Sequence, residues 1–326
     1  MKGYLCRLLF VALSILFLLT PSQPLLATPV SDNGWLSVRN SHLVNQEQIP
    51  IQLKGMSSHG IQWYGKFVTY NTLKQLRDTW NLSVFRTAMY LNEGGYMSHP
   101  ELKNKMIEAV DSAISLGIYV IIDWHILSER DPNTYRDQAL VFFEEMANRY
   151  HGYPNVLYEI ANEPNNTSWP NNIRPYAIAL ASKIRSIDSH NIIIVGTNQW
   201  SQSVDEAANN PLPSEYTNIM YTCHFYAGSH GSWLRDQISQ AMSKGIAIFI
   251  TEWGVTDYSG NGNVYLNESR DWLNFLTSKK VSWATWSFSD HSESSAVLTP
   301  GTDPNSLWTD DHLKASGRFV KSMMLN

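Results

Sequence analysis

Two apolar stretches of this chain end in glutamate. Residues 156–161 run into Asn162-Glu163-Pro164, and residues 247–253 carry Thr251-Glu252-Trp253 ahead of Gly254. A charged carboxylate at the end of an apolar run costs free energy unless it meets water or a partner. Other polar residues stand at the ends of similar runs: His59, Arg86 with Tyr90, Asp123 with His125, and His224 with Tyr226. Two carboxyls facing across one site, ringed by His, Arg, Asn, Tyr and Trp, suit the cleavage of a sugar acetal. One gives a proton to the leaving oxygen; the other attacks the anomeric carbon, or activates water there.

Such an arrangement needs elements that bring their ends together. Short β-branched or apolar runs recur at residues 51–56, 82–88, 118–124, 156–161, 192–197, 219–225, 247–253 and 281–286. Between and after them, amphipathic stretches predict helices at 70–80, 101–116, 134–149, 174–188, 234–243, 266–278 and 311–322, with a short one at 204–209. Gly117 and Gly245 sit where helices should stop. Eight strand-then-helix units predict a single α/β domain, a (β/α)8 TIM barrel, whose active residues belong at the carboxyl ends of the strands. The alternative is an open, doubly wound sheet. Its nucleotide-binding version lacks the Gly-x-Gly-x-x-Gly turn after the first strand.

Composition narrows the function. Of 326 residues, 43% are hydrophobic and 16% charged, which excludes a disordered chain. Lys and Arg number 24 against 29 Asp and Glu. That balance gives no general pull toward nucleic acid or anionic membranes. Twelve Trp, 16 Tyr and 11 Phe suit a flat ligand such as a sugar ring. Lys2 and Arg7, an apolar run over residues 8–19, and Pro21, Pro24 and Ala27 read as a secretory signal cleaved near residue 27. Its removal takes the net charge from −5 to −7 and leaves Cys223 without a disulfide partner, because Cys6 goes with the leader. Cys223 reads as an inert buried thiol. Sequons at Asn81, Asn165, Asn166 and Asn267 matter only in a eukaryotic host.

Taken together, Asn162-Glu163-Pro164, Thr251-Glu252-Trp253-Gly254, Gly55-Met56-Ser57-Ser58-His59-Gly60, Phe85-Arg86-Thr87-Ala88-Met89-Tyr90, Asp123-Trp124-His125 and His224-Phe225-Tyr226 resemble glycoside hydrolase family five. The likeness is nearest to bacterial-type endo-β-1,4-glucanases and runs from about Gly34 to Lys321. It implies a retaining mechanism with Glu163 as acid/base and Glu252 as nucleophile. Arg86 should favour an ionised Glu252, Tyr226 should hold it, and the neighbouring carboxylate should keep Glu163 protonated. The resemblance also implies that Asn162 bonds the sugar 2-hydroxyl, that His125 and His224 hold the polar network, and that His59 and Trp63 pair on the glycone side. Trp286 should stack beneath a ring, Trp200, Gln202 and Tyr90 should line the cleft, and Arg86, Tyr226 and Glu293 are counted with them among the substrate-binding residues. Trp124 and Trp253 read as packing. After Trp286 many such enzymes place a Lys before a Glu; here His291 precedes Glu293, which bears on a glycone subsite rather than on the chemistry.

The expectation is therefore a secreted enzyme, extracellular or periplasmic, acting as a monomer on β-glucan. It needs no metal or cofactor and has neither nucleic-acid partner nor membrane attachment after cleavage. The catalytic barrel spans 28–326 without a carbohydrate-binding module, which favours soluble or amorphous glucan. Mannan, xylan or mixed-linkage glucan would use the same two glutamates. A metal-dependent hydrolase is disfavoured by the lack of His-x-His after the first run and of His-Glu-x-x-His anywhere. A non-catalytic sugar-binding protein is disfavoured because both glutamates are present.

Overall fold

The computed structural model describes residues 27–326. The expected leader, apart from Ala27, and Cys6 lie outside them. A hairpin, β1 (Ser37–Arg39) and β2 (His42–Val44), precedes the main sheet. The sheet holds β3 (Lys54–Ser58), β4 (Val84–Tyr90), β5 (Tyr119–His125), β6 (Val156–Glu159), β7 (Ile192–Val195), β8 (Ile219–Thr222), β9 (Phe225–Tyr226), β10 (Ala247–Gly254) and β11 (Ser282–Phe288). Neighbours run parallel, and β11 pairs with both β10 and β3. That closure makes the sheet a (β/α)8 barrel and rules out the open alternative. The two-residue β9 lies beside the upper end of β10.

Helices follow the barrel strands in turn: Tyr70–Trp80, Leu102–Leu116, Arg136–Tyr150, Arg174–Arg185, Val204–Asn209, Ser232–Ser243, Leu266–Ser278 and Ala315–Leu325. Their limits follow local chemistry. The Thr69 hydroxyl accepts from Thr72 N–H at the start of the first, and Asn81, at φ 59°, ends it in the left-handed region. Gly117 ends the second at φ 68°, and a Cβ there would meet Thr28 Oγ1 at 2.4 Å, so both backbone and space require glycine. The hairpin and the short helices Pro29–Asn33 and Ile61–Tyr64 had no counterpart in the expected elements.

Alternation along each strand separates two cores. Phe85, Val120, Ile122, Tyr158 and Ile193 face the helices and join the outer core, as do the fully buried Trp124 and Trp253. Val84, Tyr119, Ile121, Leu157, Ile192, Ile194, Met220 and Phe249 pack together inside the barrel, with Leu36 and Leu43 over their amino-terminal end. Each such side chain contributes roughly 1.5–3 kcal/mol by leaving water. Two residues further along the same strands the inward positions turn polar.

One irregularity matters for function. The pairing of β10 with β11 shifts register between Ile250 and Trp253. A bulge spends one extra residue. As a result Thr251 and Glu252, adjacent in sequence, both reach interior partners: Thr251 bonds Glu159, and Glu252 meets Arg86.

Candidate active site

A cleft of about 640 Å³ opens at the carboxyl ends of the strands. Its floor is organised by Arg86 on β4. The guanidinium donates to Glu159 through Nε (2.7 Å) and Nη2 (3.2 Å), to Asn162 Oδ1 (2.6 Å), to Ser57 Oγ (3.2 Å) and to Glu252 Oε2 (3.2 Å). Asp123 Oδ2 lies 3.0 Å from Nη2. Arg86 is fully buried, so the expectation that it touches substrate is corrected. It lies beneath the floor and holds carboxylates in place. One cation among Asp123, Glu159 and Glu252 cannot balance them all, and each of the three has its acidity weakened by burial.

Glu163 follows β6 and Glu252 lies on β10. One donor atom each from Glu163, His224 and Glu252 falls within 4.8 Å of the others. Tyr226 donates its hydroxyl to Glu252 Oε1 at 2.9 Å. His224 places Nδ1 2.8 Å from Glu163 Oε1 and Nε2 2.9 Å from Thr251 Oγ1. Thr251 donates its own hydroxyl to Glu159 at 2.6 Å. The donors can be counted from this. Thr251 has spent its proton on Glu159, so it accepts from His224 Nε2–H. Nδ1 then carries a lone pair, and Glu163 must bring the proton to that contact.

Electrostatics agree with the count. Glu163 is pushed up to about 8, first by burial and then by Asp123 and Glu159, with Arg86 opposing. The expected cause was the neighbouring Glu252; desolvation leads instead, and the carboxylates that add to it are Asp123 and Glu159. Glu252 is also raised, by burial and then by Glu163, although His224, Arg86 and His125 pull it down. The expected ionising influence of Arg86 is present, but burial outweighs it. Burial holds His224 down at about 4, and so neutral.

Aromatic rings build the walls. Trp286 stacks on His125 (5.5 Å between centroids), and His125 in turn packs on Tyr90 (4.1 Å). His125 Nδ1 bonds Asp123 Oδ2 at 2.6 Å, and Nε2 lies 3.2 Å from the Asn162 amide. Asn162 also donates to Ile126 O (3.0 Å). Across the cleft stand Trp200 and Gln202. Gln199, Trp200 and Ser201 form a left-handed run at φ 56°, 54° and 56°. Such residues cost roughly 1–2 kcal/mol each. Here Trp200 N–H bonds Pro164 O, Ser201 Oγ–H bonds Asn162 O and His224 N–H bonds Ser201 O, and the Trp200 ring is left 47% exposed.

His59 and Glu293 line the cleft as well. Burial, then His291 and His125, holds His59 down at about 3. Trp63 does not line the cleft proper: it is 48% exposed at the edge, packed on His59 and Tyr90. His291 also stands outside the lining, beside His59, with Nδ1 bonded to the Tyr64 hydroxyl. His59, His291 and Glu293 bring three further donor atoms within 4.8 Å. Cys223 is buried, and its thiol is pushed up by desolvation.

Sequence reasoning missed Glu159 and Thr251, which set the state of His224, and Tyr258, Ser259 and Gly260, which line the far wall. Glu159 left a signal: it sits two residues after inward-facing Leu157, on the same face of an apolar run. Thr251 stood within the Thr251-Glu252-Trp253-Gly254 string without a role of its own, and the loop residues left no signal.

Residues 44–292 match the family model for cellulase, glycosyl hydrolase family 5. An endoglucanase of Clostridium saccharobutylicum is 57% identical over 90% of this chain and 66% of its own length. Endoglucanase 5 of Pectobacterium carotovorum is 52% identical over 91% of this chain and 59% of its own. The chain thus spans about three fifths to two thirds of these relatives. The catalytic domain of Thermobifida fusca endoglucanase Cel5A superposes with a TM-score of 0.88 at 37% identity, covering 92% of this chain and all of that one. A variant of that domain has been solved with cellotetraose. With a closed barrel, paired glutamates at two strand ends and a family model matched across most of its length, the chain belongs to glycosyl hydrolase family 5.

Proposed function

We propose that the protein is a retaining endo-β-1,4-glucanase, with Glu163 as acid/base and Glu252 as nucleophile. The observation that carries the reading is the approach of the two carboxyls to within 4.8 Å. Direct attack by a carboxylate needs about 5–5.5 Å between the carboxyl groups, whereas inversion needs about 6.5–9.5 Å to seat a water. Glu163 donates its proton to the leaving glycosidic oxygen as Glu252, steadied by Tyr226 and Arg86, forms a bond to the anomeric carbon. Glycosylation removes the charge of Glu252. The His224 Nδ1 lone pair then faces an ionised Glu163 across 2.8 Å. That repulsion helps Glu163 take a proton from the water that releases the sugar.

The identity to named endoglucanases and the cellotetraose bound by the Thermobifida relative support a β-1,4-glucan substrate. An open cleft walled by Trp286, Tyr90 and Trp200 supports binding along a chain rather than at its end. We extend the proposal to export, on the leader at residues 1–27, and to action as a monomer. Among the described residues no helix is long and apolar enough to cross a membrane.

The test is reducing-end release from carboxymethyl cellulose, galactomannan, xylan and mixed-linkage glucan in parallel, with the first-formed anomer read by NMR. Cleavage of the cellulose derivative with retained β-configuration is expected. Activity on galactomannan or xylan alone would overturn the substrate, and an α-anomer product would overturn the mechanism.

A further inference from the structure

The two three-donor clusters in the cleft differ in how much of their binding capacity is already used. In the first, both nitrogens of His224 are engaged, by Glu163 and Thr251, and Glu252 is held by Arg86 and Tyr226. In the second, the Tyr64 hydroxyl meets His291 Nδ1 and leaves Nε2 free. Glu293 Oε1 is buried without a hydrogen-bond partner, 3.8 Å from His59 Nε2. The loop carrying His291 and Glu293 is pinned by Lys314, whose ammonium donates to both backbone carbonyls.

We propose that His59, His291 and Glu293 form a binding site for a divalent transition cation, Zn²⁺ or Cu²⁺, that overlaps the glycone half of the cleft. Two imidazoles and one carboxylate suit these ions better than Mg²⁺ or Ca²⁺, which favour all-oxygen sets. Tetrahedral zinc with bonds of about 2.0–2.1 Å holds its donors roughly 3.3 Å apart. The 3.8 Å gap between His59 and Glu293 therefore closes by about half an ångström, and the other separations, within 4.8 Å, by up to about 1.5 Å through side-chain rotation. The Tyr64 hydroxyl orients His291, as outer partners orient metal-bound imidazoles. His59 Nδ1 accepts from Gly60 N–H at 2.7 Å, so ligation through Nε2 moves the ring proton to Nδ1 and gives up that contact. A fourth position faces the cleft, open to water. Since His59 and Glu293 line the cleft, the cation and a sugar ring compete for the same space.

The experiment is calorimetric titration of the protein with ZnCl₂ in a non-coordinating buffer. One site is expected. His291→Ala and Glu293→Gln should each weaken it by about tenfold or more, and Glu163→Gln should leave it unchanged. His291→Lys, which keeps a long polar side chain, gives a second route to the same loss should the alanine variant fold poorly. In parallel, zinc should raise KM for the polymer without lowering kcat, and chelator should reverse this. Zinc binding that survives both His291 variants, binding lost in Glu163→Gln, or no binding at millimolar zinc would overturn the site. The heat of binding does not depend on which polymer is cut, so the result stands apart from the functional assignment.

Discussion

The barrel lumen has two halves built on the same strands. On β5, Tyr119 and Ile121 point into the lower half, and Asp123 and His125 into the upper. On β4, Val84 lies below and Arg86 above. The lower half is held by non-directional burial and is indifferent to which apolar side chain fills it, provided the volume is right. The upper half is a network of directional hydrogen bonds and ion pairs centred on Arg86 and Thr251, and it buries charge at a cost. The fold rests on the lower half together with the outer core between strands and helices, and the upper half turns the rigidity gained there into a fixed proton arrangement.

The sharpest way to test this division is to alter one member of each half. Glu252→Gln should lower kcat by about 10⁴-fold or more while the denaturation midpoint stays close to wild type. A fold that collapsed instead would show that the upper half also carries stability. Arg86→Met lies at the boundary and should fail on both counts. It strands three buried carboxylates, which costs roughly 3–5 kcal/mol in a urea melt, and it abolishes turnover. Ile121→Ala, in the lower half, should cost about 2–5 kcal/mol of stability, with kcat per folded molecule within about twofold of wild type. A large kcat loss there would mean that the halves are mechanically coupled.

The proton arrangement makes a further prediction. Glu163 must be protonated for the first step, and its carboxyl is held at about 8. The kcat/KM profile should therefore fall above that pH, by about tenfold per unit. The weakened acidity of Glu163 also sets a sign for stability. The folded state binds this proton more tightly than the unfolded chain, so the associated stability is full at low pH and is lost as pH rises through about 8. Glu163→Gln should erase the alkaline limb from the residual rate, and persistence of the limb would assign it to another group. The smallest effect belongs to the rim: Trp63→Ala should raise KM by roughly fivefold, about 1 kcal/mol of aromatic contact, without changing kcat.

The helices at Tyr70–Trp80 and Leu266–Ser278 fall where the periodicity of the sequence puts them, because apolar spacing and terminal residues define a helix locally. Strand ends were legible to within two or three residues, since parallel barrel strands are apolar on both faces and announce themselves as runs. The hairpin at residues 37–44 was not, because its three-residue strands are too short for a period.

The sequence by itself determined the eight-fold alternation, the polar identity of the strand ends and the presence of two glutamates at matched positions. Each is a property of residues close together in the chain. Tertiary structure alone decided that Arg86 lies under the floor rather than in the cleft, that a bulge turns Thr251 and Glu252 inward together, and that Glu159 reaches His224 through Thr251 to fix its proton. Those outcomes depend on register, closure and burial, which arise when distant strands share one lumen. They also set the carboxyl acidities, because desolvation depends on what the whole chain encloses.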